Sequence, residues 1–236
     1  MSSIDVYGMP ISAPCRIVTM TLDCLGLEYN FKFLDLFAGE HKQPEFLEIN
    51  PMHNVPTIVD GDFVMNESRA IAAYLVHKYA EDDKMYPKDP EVRARVDQRL
   101  YFDMGVFYKV VAHNLILIFS STFKAFSECV FPLMFRGEKP EQEKFDKLKE
   151  VLGWLDGFVA DDKFAAGNDE MTIGDISLLS TYSTLKAAEL SEVDLSEFSN
   201  AEAWFEKCCG LIPNYEKANG EGATGFGEFY KSKASD

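Results

Sequence analysis

The chain is poor in the residues that mark secreted, metal-binding or nucleic-acid-binding proteins. Its five cysteines (Cys15, Cys24, Cys129, Cys208 and Cys209) are odd in number and follow no framework spacing, so reduced thiols are expected rather than disulfides. There are four histidines and no paired C-x-x-C motif, and no metal site is expected. Basic residues are scarce: 23 Lys and Arg stand against 39 Asp and Glu, a net charge of −16. That balance argues against a face that tracks phosphates, so nucleic acid is not an expected partner, and neither is an anionic membrane surface. No uncharged apolar run is long enough to span a bilayer. Met1–Gly8 carries Asp5 and no signal-like apolar stretch, so a cytosolic location is expected. Internal repeats and low-complexity tracts are absent as well.

What is present is a globular composition, 47% hydrophobic over 236 residues, enough for one large domain or two small ones. Ile4, Val6 and Tyr7 before Gly8 suggest a short strand. A helix follows through Ile17, Val18, Met20, Leu22 and Leu25, with Ser12 as its cap, Pro14 in its first turn and Gly26 as its stop. Tyr29, Phe31, Phe33 and Leu34 read as a second strand, and Pro44 to Ile49 as a short helix. Thr57–Val59 and Phe63–Met65 flank Asp60-Gly61, the dipeptide of a type I′ hairpin. An amphipathic helix then opens at Glu67-Ser68-Arg69. The order β-α-β-α-β-β-α is the thioredoxin-like arrangement, placed here at residues 1–80 and followed by a charged, proline-bearing linker at 81–90.

From Pro90 to the end no strand-like alternation persists, so residues 91–236 are expected to form an all-helical bundle. The fold class is therefore α/β plus all-α. Arg93 to Val111 and Glu141 to Ala160 carry a helical period. Met171-Thr-Ile-Gly-Asp175-Ile176 has a capping box, Asp175 reaching back to Thr172, ahead of a helix apolar on most faces and so expected to be central. Trp154 and Trp204 are expected in the core. The glycines at 220, 222, 225 and 227 read as a loose end to the last helix.

Residues 49–71 carry the chemistry. Pro56 cannot donate to a sheet ladder, so it belongs at the mouth of a strand, and a cis bond there would turn the Val55 N–H and C=O outward. Such a backbone can take an extended peptide as an added strand. The helix start at Glu67–Arg69 offers free N–H groups and a positive dipole end to a carboxylate. The stretch reads as a receptor for a short acidic peptide.

Val55-Pro56 followed by Glu67-Ser68-Arg69 resembles the glutathione-binding half of the cytosolic glutathione transferases. Pro10-Ile-Ser12-Ala-Pro14-Cys15-Arg16 is similar to the start of the arthropod delta class, with the epsilon class next, and the likeness runs from Ile4 to about Glu228. It implies a transferase that binds glutathione as co-substrate and adds its thiolate to hydrophobic electrophiles in detoxification, or promotes dehydrohalogenation or peroxide reduction. It also implies a homodimer. Ser12 would donate a hydrogen bond to the sulfur, whose free thiol pKa near ~8.5 must fall for attack. By the same likeness His41 and His53 face the glycine carboxylate, Val55 and Pro56 pair with the peptide, and Glu67 takes the γ-glutamyl ammonium. Ser68 and Arg69 would hold its carboxylate. Each has an ordinary reading too: Ser12 as a plain helix cap, Glu67 as dipole compensation.

Met104, Phe107 and Tyr108, on one helical face near the linker, are expected to line the second-substrate pocket between the domains. Between Tyr108 and Pro140 the chain is longer and more apolar than the delta pattern. Phe119 and Phe123 there are expected either to wall the electrophile cleft or to pack on the bundle. Two other functions compete. One is a non-catalytic binder of hydrophobic ligands in the same cleft. The other is a thiol redox enzyme using Cys15, which ends a thioredoxin-type frame whose first cysteine is Ser12; omega-type relatives place a cysteine there, and serine argues against it.

Overall fold

A computed structural model describes residues 3–115 and 142–234. Four strands, β1 (Ile4–Gly8), β2 (Tyr29–Phe33), β3 (Thr57–Asp60) and β4 (Phe63–Asn66), form one sheet in the order β2-β1-β3-β4. β1 runs parallel to β2 and antiparallel to β3, and β3 runs antiparallel to β4. The parallel step is made by α1 (Ala13–Cys24), the crossover that such a pair requires. A short α2 (Pro44–Leu47) and then α3 (Ser68–Tyr79) complete this half. The element order is the expected thioredoxin-like one.

α1 is buried nearly all round because it is covered twice. Val18 and Leu22 join Ile4, Val6, Ile58, Ile71 and Leu75 against the sheet. Ile17 and Met20 face the second core, built by the helical half. Each such side chain, fully withdrawn from water, contributes roughly 1.5–3 kcal/mol. Gly26, at φ 64, turns the chain out of the helix as expected.

The hairpin differs from expectation by one residue. Asp60 pairs with Phe63, so the two loop residues are Gly61 and Asp62, with φ positive (62) at Gly61 alone. That is the II′ pattern rather than I′. Asp60 is kept in the strand by its carboxylate, which accepts from Tyr74 Oη and Lys78 Nζ at 2.7 Å and from Tyr79 Oη at 2.8 Å.

The remaining described elements are helical: α4 (Pro90–Phe102), α5 (Tyr108–Leu115), α6 (Gln142–Phe158), α7 (Ile173–Ala188), α8 (Ser199–Leu211) and α9 (Glu221–Ala234). Asp89 caps α4 by accepting from Glu91 N–H and Val92 N–H. The expected single helix through Val111 is interrupted by a π-helical turn, Asp103–Phe107. α7 is the central, buried helix expected from its composition. Asp175 accepts from the Thr172 N–H (2.9 Å) and hydroxyl (2.8 Å), and also from Ala165 N–H and Trp204 Nε1. Trp204 is accordingly in the core, but Trp154 is not: 41% exposed, it lies on the outer face of α6 with Lys147 Nζ 4.8 Å above its ring.

The glycine-bearing end is no loose tail. α9 packs closely on two neighbours, and a Cβ at Gly222 would stand 2.2 Å from the Pro10 carbonyl oxygen. One at Gly227 would stand 2.2 Å from that of Ala187. The halves are further tied by Ser180 Oγ donating to Ala13 C=O (2.7 Å) and Thr19 Oγ1 donating to Ala218 C=O (2.8 Å). Buried Arg16 donates to Ser180 C=O (3.2 Å) and to Thr184 Oγ1. No helix among the described residues is long and apolar enough to cross a membrane.

Candidate active site

The strand registers bring the sequence-marked residues together. Tyr7 pairs with Thr57 and Thr57 with Asn66, while Gly8 pairs with Phe33. The turn carrying Ser12, the Val55-Pro56 segment, the Glu67-Ser68 helix start and the loop carrying His41 therefore all leave one end of the sheet. It is the carboxyl end of β1, beside the switch from parallel to antiparallel neighbours, where α/β sheets bind ligands.

Ser12 stands where a helix cap would stand, with extended backbone (φ −77, ψ 114), yet its hydroxyl makes no cap bond. Its N–H donates to Met9 C=O at 3.0 Å, and its own C=O accepts from Cys15 N–H and Arg16 N–H. The hydroxyl is thus held at a helix N-terminus without capping it, and bonds instead with the Cys15 thiol. Cys15 is buried; Gly8 has to be glycine because a Cβ would come within 2.7 Å of the Cys15 sulfur. Burial pushes the Cys15 thiol up, against the opposing pull of a hydrogen bond with Ser12 and of the Arg16 charge. A sheltered, protonated thiol is a poor nucleophile.

The Val55–Pro56 bond is cis. Among the described residues no hydrogen bond uses the Val55 backbone. Three asparagines that the sequence reading passed over brace this loop. Asn50 Nδ2 donates to Asn54 C=O, Asn54 Oδ1 and Thr57 Oγ1, and Asn66 Nδ2 donates to Asn54 Oδ1 at 2.9 Å. The signal was available: asparagines around a proline turn commonly bond their own backbone. His53 sits at φ 44 and its ring centroid lies 6.2 Å from that of His41. Burial, then Lys42 and His53, pull His41 below the usual imidazole range, so it is neutral at pH 7.

Glu67 is exposed and adopts φ 71, ψ 96, a backbone conformation that costs a non-glycine residue on the order of 1–3 kcal/mol. Its side chain stands 3.5 Å from Asn54 Nδ2. Ser68 is buried at the first turn of α3, its Oγ accepting from Arg69 Nη1 at 3.1 Å.

Three expected site residues, Arg69, Phe107 and Met104, are placed otherwise. Arg69, expected to add charge for a ligand carboxylate, spends it within the protein: Nη2 donates to Asp103 Oδ2 at 2.5 Å, and the guanidinium lies 5.4 Å from the Tyr108 ring. Asp103 is fully buried and also accepts from Ser177 and from Thr181 Oγ1. Phe107, expected in the pocket, is wholly buried and stacks on Phe102. The π turn explains this. It adds a residue to one turn, so positions 104, 107 and 108 no longer share a face. Met104 points outward (43% exposed), Phe107 inward, and Tyr108 toward Ser12. Phe119 and Phe123 lie outside the described residues.

Beside Ser12 is an apolar cavity of about 60 Å³ lined by Ile11, Leu36, Phe37, Tyr108, Thr184, Phe226 and Phe229. Of these, only Tyr108 was marked in the sequence. Burial holds its hydroxyl above the usual phenol range, so it stays protonated at neutral pH. A broader groove of about 930 Å³, along α1 and past Tyr29, Phe31 and Lys217, includes Cys15 but none of the residues marked for glutathione or the electrophile.

The family model described as Glutathione S-transferase, N-terminal domain, matches residues 6–83, and that for the C-terminal domain matches residues 113–211. This chain belongs to the glutathione transferase family. Among solved structures, the transferase is similar to a delta-class glutathione transferase of Nilaparvata lugens, at 42% identity over 98% of this chain and 99% of the other (TM-score 0.84). An epsilon-class glutathione S-transferase from the housefly Musca domestica is 37% identical over 98% of both chains (TM-score 0.84). A glutathione transferase homologue from Drosophila mojavensis, solved with bound glutathione, is 36% identical over 99% and 98% (TM-score 0.82). The resemblance read from the sequence is to the family that the comparisons find, and the neighbours are of both insect classes.

Proposed function

We propose that this transferase activates glutathione at Ser12 and adds it to small hydrophobic electrophiles. The observation that carries the reading is the Ser12 hydroxyl, set at the start of α1, making no cap bond to the backbone of that helix, and lying beside both the Val55–Ser68 end of the sheet and an apolar cavity.

In this reading the Val55 backbone pairs with the cysteinyl unit of glutathione beside Pro56. Ser68 and the free N–H groups at the start of α3 hold the γ-glutamyl carboxylate, and Glu67 takes its ammonium. His41 and His53 face the glycine carboxylate. Arg69 acts one step back, through Ser68. The Ser12 hydroxyl donates to the sulfur and favours the thiolate. For a halide electrophile, the thiol proton leaves to solvent, a carbon–sulfur bond forms, the carbon–halogen bond breaks and halide departs. Met104 is too outward-facing for this cavity, and Tyr108 forms part of its wall. The chain divides in this reading into 1–80, 81–90 and 91–236, works as a homodimer and resides in the cytosol.

The test is Ser12→Ala, with glutathione binding and turnover of an aromatic halide measured separately. A hydrogen bond to a charged group is worth roughly 1.5–3 kcal/mol, so turnover is expected to fall about tenfold to a hundredfold while binding changes only a few-fold. The absorbance of bound thiolate should move to higher pH. Unchanged turnover would remove Ser12 from the chemistry, and binding without turnover in the unaltered protein would make it a ligand carrier.

A further inference from the structure

The cavity beside Ser12 is far smaller than the substrates its apolar lining suits. Its volume is about 60 Å³, whereas benzene needs a cavity of roughly 150 Å³. Two aromatic rings from different halves of the molecule meet at it: the centroids of Phe37 and Phe229 are 5.0 Å apart, with planes inclined at 46°. We propose that Phe37 and Phe229 form an inter-domain gate that sets the size of electrophile reaching the sulfur at Ser12, an inference that rests on the function proposed above.

The backbones carrying the two rings are both held. Phe37 sits in a turn braced by its own carboxylates: Asp35 Oδ1 accepts from Phe37 N–H (2.9 Å) and Ala38 N–H (3.0 Å), and Glu40 Oε2 accepts from Asp35 N–H (2.7 Å). Phe229 is carried by α9, pinned where Gly222 meets Pro10 and Gly227 meets Ala187. With both backbones fixed, the moving parts are the side chains. Phe37 is 47% exposed, so its ring has solvent to turn into. A one-carbon electrophile passes the closed pair, whereas a ring electrophile enters only when the pair separates and its contact is lost. The selection is therefore by size, and it acts on the electrophile step.

The experiment compares kcat/KM for a chlorodinitrobenzene with that for iodomethane in the full-length protein, in Phe37→Ala, Phe229→Ala, Phe229→Leu and the double alanine variant. An aromatic pair contributes enough beyond its buried area that its removal should raise the ring-to-methyl ratio about two- to tenfold in each alanine variant. Most of the change should lie in KM for the ring substrate. Both substitutions open the same gap, so the double variant should gain little over the larger single effect. Phe229→Leu keeps an apolar side chain on α9 and should rise by less than Phe229→Ala, with melting temperature retained. A ratio unchanged in both single variants, or equal falls with both electrophiles, would overturn the gate. Ser12→Ala run alongside separates the two ideas. If it lowers turnover of both electrophiles while the phenylalanine variants keep the original ratio, the gate alone fails. If it leaves both turnovers intact, the reading of the site fails and takes the gate with it.

Discussion

Replacing Asp103 by asparagine tests how the two halves are joined behind the site. The Asp103 carboxylate is fully buried and its two oxygens receive three donors: Arg69 Nη2 and Ser177 Oγ on Oδ2, and Thr181 Oγ1 at 2.7 Å on Oδ1. Asparagine has the same shape, so no cavity opens. The hydroxyls of Ser177 and Thr181 can reverse and accept from the new amide, but Arg69 can only donate. Its guanidinium is left without a counter-charge, with 13% of the side chain exposed. Breaking a buried pair from one side costs about 3–5 kcal/mol, and partial contact with water puts this one at the low end, about 3 kcal/mol. For a chain of this size that is a fall of about 6–12 °C in Tm.

Glutathione binding should weaken too, because Arg69 Nη1 also holds Ser68 Oγ. Asp103→Asn with Arg69→Gln should lose less than the sum of the single losses, since the double variant leaves no unpaired charge. Thermal unfolding of the four proteins by circular dichroism measures this. An Asp103→Asn protein melting within about 2 °C of the original would refute the reasoning.

Three further outcomes are expected. Glu67→Gly should raise stability by up to about 1 kcal/mol, because glycine adopts φ 71 without strain, while glutathione affinity falls; a lower Tm would contradict the strain argument. Gly222→Ala should destabilise by about 1–3 kcal/mol, its methyl meeting the Pro10 carbonyl, whereas Gly153→Ala, with open space around it, should stabilise by about 0.5–1 kcal/mol; equal effects in urea unfolding would refute the close-packing account. Burial pushes the Asp60 carboxyl up, but hydrogen bonds from Lys78, Tyr74 and Tyr79 outweigh it and hold it below the usual range. A lowered folded-state pKa adds stability that is complete above the unfolded value of about 3.9 and is lost as pH falls through the folded one. The stability gap between the original and Asp60→Asn should therefore be level at neutral pH and shrink on acidification; a gap that widened would reverse the sign.

The thioredoxin-like half was legible because its signals are local. Alternation made β1 and β2, Gly26 ended α1, and Val55-Pro56 followed by Glu67-Ser68 marked one end of the sheet before any register was known. Expectation failed where a distant partner outvoted a local preference. Asp60-Gly61 is a good I′ dipeptide, but Tyr74, Tyr79 and Lys78 keep Asp60 in the strand and move the turn on by one. Arg69 looked like a ligand cation because nothing in its neighbourhood of sequence announced Asp103, 34 residues away. The Met104, Phe107 and Tyr108 stripe was counted at an α-helical period, and the single π turn that spoils the count leaves no mark in composition.

The glycines of α9 carry this furthest, because the same letters support opposite conclusions. Gly222, Gly225 and Gly227 lower helix propensity, and judged by propensity alone they predict a frayed end. A missing side chain also lets two backbones approach more closely than any other residue permits. At Gly222 and Gly227 the nearest atoms are carbonyl oxygens of Pro10 and Ala187, at distances no Cβ could tolerate. The close approach to Pro10 brings α9 against the turn that carries Ser12, so Phe226 and Phe229 reach the cavity. The segment that looked least structured thus supplies two walls of the candidate site. Propensity is a property of the chain, whereas the use made of a glycine depends on what lies across from it, and that partner is specified only by the rest of the fold.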